Sequence, residues 1–379
     1  MDAPDASEQA GPGALRVFLC GDVMTGRGID QALPHPGDPE LREGFVHSAH
    51  DYVRLAERMN GAFARPVDFT YPWGAAQDIW RRMAPDARVI NLETAITRSG
   101  DFAPKAVAYR MHPDNAPVLL ASGARACALA NNHSLDFGPA GLIETLDVLH
   151  RVGLPTAGAG RDLDEARAPA VVETRSARVL LFSVAAGDSG VAESWAARRD
   201  AAGVDRIDLT DKAAHEISER IGRTRRPGDI VIVSIHWGSN WGYQVPTAHR
   251  RFAHALIDGG QVSVIHGHSS HHPRPIEVYR DRLILYGCGD FLNDYEGIGG
   301  YEAFRGDLVA MYFADVDVES GALRRLILAP LVIRRFQLHE PDEADRAWLA
   351  TRLTRESEPF GVTIAELGSG LLEAAWRRG

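Results

Sequence analysis

The sequence predicts an α/β protein with a metal-assisted site at one edge of its sheets, and two observations predict it. Strand-like apolar runs alternate with helical stretches, the pattern of α/β architecture. Five of those runs also end in polar clusters: Gly21-Asp22, Asn91-Leu92-Glu93, Asn131-Asn132-His133, His236-Trp237-Gly238 and His266-Gly267-His268. In α/β proteins the carboxyl edge of the strands is where sites form. One polar strand end is an ordinary turn. Five that supply Asp, Glu, Asn and His are the donor set of a metal site.

The elements follow from local pattern. The run at 15–20 is the first strand, and Gly21 frees the backbone to turn before Asp22. Helical periodicity covers 78–83, 113–122, 139–152, 211–225 and 247–258, the last opened by Pro246 and Thr247. One hairpin spans 170–184 with its turn near Ser176, and a second spans 276–285 with its turn at Arg280-Asp281-Arg282. Late strands cover 308–318 and 323–333. The composition divides the chain into a flexible start at 1–13, one domain at 14–335 and a C-terminal extension at 336–379 that reads as one or two amphipathic helices packed on the domain. Residues 28–73 form an insertion rich in Pro, Gly and His, yet carrying Phe45, Tyr52, Phe63, Phe69, Tyr71 and Trp73. Aromatics argue against disorder there. The segment reads either as a helical satellite or as a wall over the metal edge.

Bulk composition narrows the function. The chain has 379 residues, a formal charge of −10 and a pI near 5.8. An acidic surface excludes nucleic acid and anionic membrane as principal partners. No window approaches the roughly 20 apolar residues of a membrane span. The start lacks the basic and apolar segments of a signal peptide, so the simplest expected location is cytoplasmic. Cys20, Cys127 and Cys288 are an odd, sparse set and form no disulfide framework. They read as small buried thiols. Only Lys105 and Lys212 are lysines among the 41 basic residues, which reads as the codon bias of a GC-rich genome.

The candidate metal ligands are Asp22, Glu93, Asn132, His236 and His268. The donors favour Ca²⁺ or Mn²⁺ and also suit Zn²⁺; no motif calls for an organic cofactor. His133 with Asp136 makes an acid–base pair, because a carboxylate that accepts one ring N–H fixes the tautomer. His266, His268, His271 and His272 lie within seven positions, too many for all to be ligands. Of these, His268 and His271 are the acid–base candidates, oriented by Asp22 or Asp290. Trp237, Asn240, Trp241, Tyr243 and Trp73 are the candidate substrate wall.

These segments together resemble the CapA family of capsule and poly-γ-glutamate synthesis proteins, which has the calcineurin-like metallophosphoesterase fold. The likeness runs through Gly21-Asp22-Val23-Met24, Asn91-Leu92-Glu93-Thr94, Asn131 to Gly138, His236-Trp237-Gly238, Gly267 to His271 and Tyr286 to Phe291. It implies an α/β/β/α sandwich of two mixed sheets with metal at one edge. Met24 stands where two-metal phosphoesterases of that fold carry a His, Glu93 where their bridging Asp falls, and Asn240 near a usual Glu. Losing such ligands favours a single hard cation.

Among soluble members the chain looks similar to lasso-peptide epimerases. That likeness implies a metal-dependent isomerase that inverts the Cα of a residue, C-terminal and aromatic, in a ribosomal precursor peptide. Acid–base groups on both faces of Cα fit such a reaction. A metal-dependent phosphoesterase and a capsule or poly-γ-glutamate biosynthesis role are the alternatives. The missing His ligand counts against the first and the missing anchor against the second. Oligomeric state is left open.

Overall fold

A computed structural model describes residues 10–377. The expected N-terminal segment 1–13 therefore falls mostly outside the described residues. Strand alternation builds the fold. On the first strand, Ala14–Cys20, the residues Leu15, Val17 and Leu19 face one way and Phe18 and Cys20 the other. The first set packs with Val179, Leu181, Ile230, Ile232 and Val264 of a second sheet. The second set packs under the helices Ala76–Met83 and Gly138–Arg151, through Trp80, Met83, Leu142 and Leu146. The outer face of the second sheet, with Phe182, Val231, Val233 and Ile235, is covered by Asp211–Thr224 and Thr247–Asp258. The result is the calcineurin-like sandwich: helices, sheet, sheet, helices.

The larger sheet runs in the order Asp290–Leu292, Asp22–Val23, Ala87–Leu92, Ala14–Cys20, Leu308–Asp317, Leu323–Arg334, Leu371–Trp376 and Val362–Gly368. Its parallel half holds the site. Its antiparallel half closes the sandwich. In the second sheet Arg178–Ala186, Ile230–His236 and Val264–His268 are neighbouring parallel strands, in register Ala185↔His236 and His236↔His268. Both hairpins form. The second turns through Arg280 and Asp281, which have φ of 48° and 58° and pair Tyr279 with Arg282, the geometry of a two-residue hairpin.

The C-terminal extension differs from expectation. Glu343–Ser357 is α-helical and Glu358–Phe360 a 3-10 turn, but Val362–Gly368 and Leu371–Trp376 form a hairpin that joins the larger sheet. Val362, Ile364, Leu372 and Ala374 alternate inward with period two, and Gly368, Ser369 and Gly370 all have positive φ at the turn. Glu, Leu and Ala at 371–375 are helix formers, but sheet pairing and burial override that propensity.

The insertion provides both a satellite and a wall. Arg27–Ala32 and His50–Asn60 pack on each other, Trp73 enters the main core, and Met59 and Asn60 line a groove described below. Among the described residues no helix is long and apolar enough to cross a membrane.

One ion pair fixes register in the antiparallel half. Arg16 and Asp315 are cross-strand partners, and Arg16 reaches Asp315 by two bonds, Nε to Oδ1 at 2.6 Å and Nη2 to Oδ2 at 2.7 Å. Both side chains are buried. Asp315→Ala removes the carboxylate gripped at two points and leaves the bond from Nη1 to the Met83 carbonyl; it should destabilise the fold by up to about 3 kcal/mol. Urea unfolding of the variant checks this; a midpoint equal to the parent's would show the pair to be energetically neutral.

Candidate metal centre

The site forms where the parallel strands of both sheets end. Asp22 ends the turn after the first strand and pairs in register with Asn91 and with Asp290. This crossing is tight: a Cβ on Gly21 would sit 1.9 Å from the Gly289 carbonyl oxygen, to which Asp22 N–H donates at 2.9 Å. Only glycine allows the two strand ends to meet so closely. Glu93 follows the strand Ala87–Leu92, and His236 ends its own strand.

Asp22, Glu93 and His236 offer ligand atoms that all lie within 4.8 Å of one another, and all three are buried. Around them, Glu93 Oε2, Asn132 Oδ1, both ring nitrogens of His236 and Nε2 of His268 are buried without hydrogen-bond partners. Buried polar groups are normally paired, so a convergent set of orphaned donors fits a cation. The electrostatics agree. Burial and the neighbouring Asp22 charge push the Glu93 carboxyl well up. Burial would raise Asp22 too, but the adjacent His268 and His236 outweigh it and hold it low. His268 Nδ1 lies 3.0 Å from Asp22 Oδ1, and Asn91 donates to that same oxygen at 2.6 Å. Two buried carboxylates in one pocket oppose each other's ionisation, and a divalent cation removes that conflict. Asp22, Glu93 and His236 would hold it, with Asn132 and His268 adjoining.

Two histidine–carboxylate dyads flank the triad. His133 Nδ1 is 2.6 Å from Asp136 Oδ2, which turns Nε2 toward Glu93 Oε1 at 3.6 Å. Asp136 also accepts from Lys105 Nζ at 2.7 Å and from the Tyr109 backbone N–H at 2.7 Å. His271 Nδ1 is 2.9 Å from Asp290 Oδ1, and Asn293 donates to the other oxygen at 2.7 Å. The two differ in proton affinity. Burial, only partly offset by Asp136, lowers His133 to about 4. Burial acts on His271 too, but Asp290 wins and its pKa is raised. Groups pushed apart in this way are suited to base and acid roles.

A groove of about 350 Å³ opens beside the second dyad, lined by Met59, Trp241, Asn293, Tyr295, Tyr301 and Arg334 among others. Trp241 stacks on Tyr301 with centroids 4.1 Å apart and lies 5.4 Å from the His271 ring.

Other candidates sit elsewhere. Trp73 is fully buried, donating to the Val118 carbonyl at 2.8 Å. Trp237 is fully buried as well, donating to Tyr286 O at 2.9 Å and stacking on His249. Neither wall residue touches the groove, because an indole inside a close-packed sheet–helix interface fills core volume. Asn240 is exposed and contributes its carbonyl to His271 N–H at 3.0 Å. Tyr243 packs behind the groove on His272, under Arg352. His266 and His272 are tied to backbone groups. The thiols are buried and free.

Sequence reasoning missed Lys105, Tyr109, Tyr295 and Arg27, and gave Asn91 no role of its own within its cluster. Lys105 had a signal: a lysine where arginine is otherwise used is a chemical choice. The tyrosines lie in loops without a motif and gave none.

With this geometry in place, the relatives can be set beside it. Residues 16–295 match the family described as bacterial capsule synthesis protein PGA_cap. The chain is 50% identical over 366 residues to a probable polyglutamine synthesis accessory protein of Mycobacterium tuberculosis, covering 96% of each. It is 27% identical over 282 residues to the PGA biosynthesis protein CapA of Bacillus subtilis, covering 74% of this chain and 63% of that one. A capsule biosynthesis protein CapA of Bacillus anthracis is 22% identical over 280 residues, covering 74% and 60%. The chain belongs to the bacterial capsule synthesis protein (CapA) family.

This corrects the expected peptide epimerase. The relatives carry polymer- and capsule-synthesis names. Paired histidines beside metal ligands serve any metal-assisted proton transfer, so they never discriminated epimerisation from other chemistry. That no described helix is long and apolar enough to cross a membrane was a poor argument against a capsule role too.

Two outcomes follow. Glu93→Gln and His236→Ala should each weaken Mn²⁺ binding on the order of 100-fold, read by calorimetric titration of the metal alone. The metal-free protein should also lose stability in acid. His133 is lowered to about 4 and His236 to about 3 by burial, against about 6.5 when unfolded. Unfolding below pH 6.5 therefore takes up protons at both. Their contribution is complete above about 6.5 and declines toward pH 4, by at most about 1.4 kcal/mol per pH unit for each group, with His271 opposing. Urea midpoints of wild type and His236→Gln across that range check it: the variant's slope should be shallower.

Proposed function

We propose that this protein is a metal-dependent accessory enzyme of capsule-type polymer synthesis that hydrolyses an amide-linked glutaminyl or glutamyl chain. The observation that carries this reading is the pair of histidine dyads with opposed proton affinities on either side of Asp22, Glu93 and His236. A divalent cation held there would supply Lewis-acid polarisation of the scissile carbonyl and an acidified water. His133, with Nδ1–H held by Asp136, presents the Nε2 lone pair and removes a proton from the attacking water. Lys105 balances the Asp136 charge. His271, whose proton Asp290 retains, gives it to the departing amine. The groove holds the flanking chain, with Trp241 and Tyr301 against its methylenes.

Lining charge bears on the substrate. Arg305 and Arg334 line the groove together with Glu296, Glu302 and Asp307, and the whole chain carries −10. A neutral glutaminyl polymer meets less repulsion there than a polyanion. The polymer-synthesis names of the relatives support the substrate class.

Mn²⁺-loaded protein should shorten polyglutamine faster than γ-linked polyglutamate, measured by new amine ends and chain length, and His133→Ala should reduce the rate at least about 100-fold. If neither polymer shortens, the reading fails. Efficient turnover of a phosphomonoester would move the reaction to phosphorus.

A further inference from the structure

Tyr295 is a groove-lining residue that meets one histidine dyad directly and reaches the other through Tyr109. Its ring meets the His271 ring edge-on, with centroids 5.3 Å apart. Its hydroxyl is hydrogen-bonded to that of Tyr109, whose ring in turn lies 4.1 Å from His133. Either hydroxyl can donate in that pair; with Tyr109 donating, the Tyr295 hydroxyl turns to Met24 Sδ at 3.5 Å. A thioether is a weak acceptor, so in that arrangement the O–H is held but poorly satisfied.

The surroundings suit a donor. Arg27, itself anchored by Asp294 and Glu43, lies over the faces of Tyr109 and Tyr295 at 4.5 and 5.6 Å. A cation over the ring withdraws electron density and strengthens the phenol as a donor. Burial, with a smaller part from neighbouring carboxylates and phenols, still keeps both hydroxyls protonated. A neutral, preorganised donor beside a metal centre is the equipment for binding an oxyanion.

We propose that Tyr295 is a catalytic residue that donates its hydroxyl hydrogen to the oxyanion formed at the reacting carbonyl, with Tyr109 positioning it. On reaction the O–H turns from Tyr109 or Met24 to the ligand oxygen; no covalent bond to tyrosine forms and no proton leaves it. The assignment rests on the hydrolytic reading of the site, and its test separates the two.

The probe is inorganic phosphate, a tetrahedral oxyanion, titrated calorimetrically into Mn²⁺-loaded protein. Tyr295→Phe should bind phosphate at least tenfold more weakly while binding Mn²⁺ within twofold of wild type. With polymer, its kcat should fall about 100-fold and KM change less than threefold. Tyr109→Phe, which removes the hydroxyl that holds Tyr295, should weaken phosphate at least threefold and guards against a poorly folded first variant. Equal phosphate affinity in wild type and Tyr295→Phe, or loss of Mn²⁺ with the phenol, overturns the assignment. Tyrosine-dependent phosphate binding without polymer cleavage would leave it standing and remove the polymer reading instead.

Discussion

The structure is organised around two carboxylates that do not belong together in a dry interior. Asp22 and Glu93 are both buried and share one pocket with His236. Separately each would be neutralised or paired; together they oppose each other's ionisation. A fold keeps such a cluster only where a cation or a reaction uses it. Much nearby follows from holding it in place: the glycine at 21 that lets strand ends meet, Asn91 donating to Asp22, and His268 packed against it.

The tension is contained by layers of support. Lys105 and the Tyr109 amide stabilise Asp136, which fixes the tautomer of His133. Asn293 stabilises Asp290, which does the same for His271. Behind the second sheet's edge, Trp237 stacks on His249, and His249 in turn meets Asp188 at 2.7 Å. The aromatic density that resembles a substrate wall in sequence is here a rigid backing for the strand that carries His236. Only Trp241, on the far side of that loop, reaches the groove.

Family membership and chemistry come from different sources. The polymer connection rests on relatives matched along nearly the whole chain. The proposed reaction rests on side-chain geometry. Fold alone does not decide function, and the departure from the epimerase reading shows the reason: acid–base histidines beside a candidate metal triad describe a capability and name no substrate.

Local sequence determined a great deal. Apolar alternation set both sheets, and polar strand ends placed Asp22, Glu93, His133 and His236 at one edge, because a strand's direction fixes where its last residue lies. The hairpins at 176 and 280 were legible for the same reason: their turn chemistry is contained within a few residues. The C-terminal hairpin was not, since Glu, Leu and Ala favour helix until a neighbouring strand, Leu323–Arg334, offers its edge. Nor could sequence tell which aromatic faces core and which faces solvent, or bring Tyr109 and Tyr295, 186 positions apart, into one hydrogen bond. Burial and contact across long separations are properties of the packed chain, and only the tertiary structure decides them.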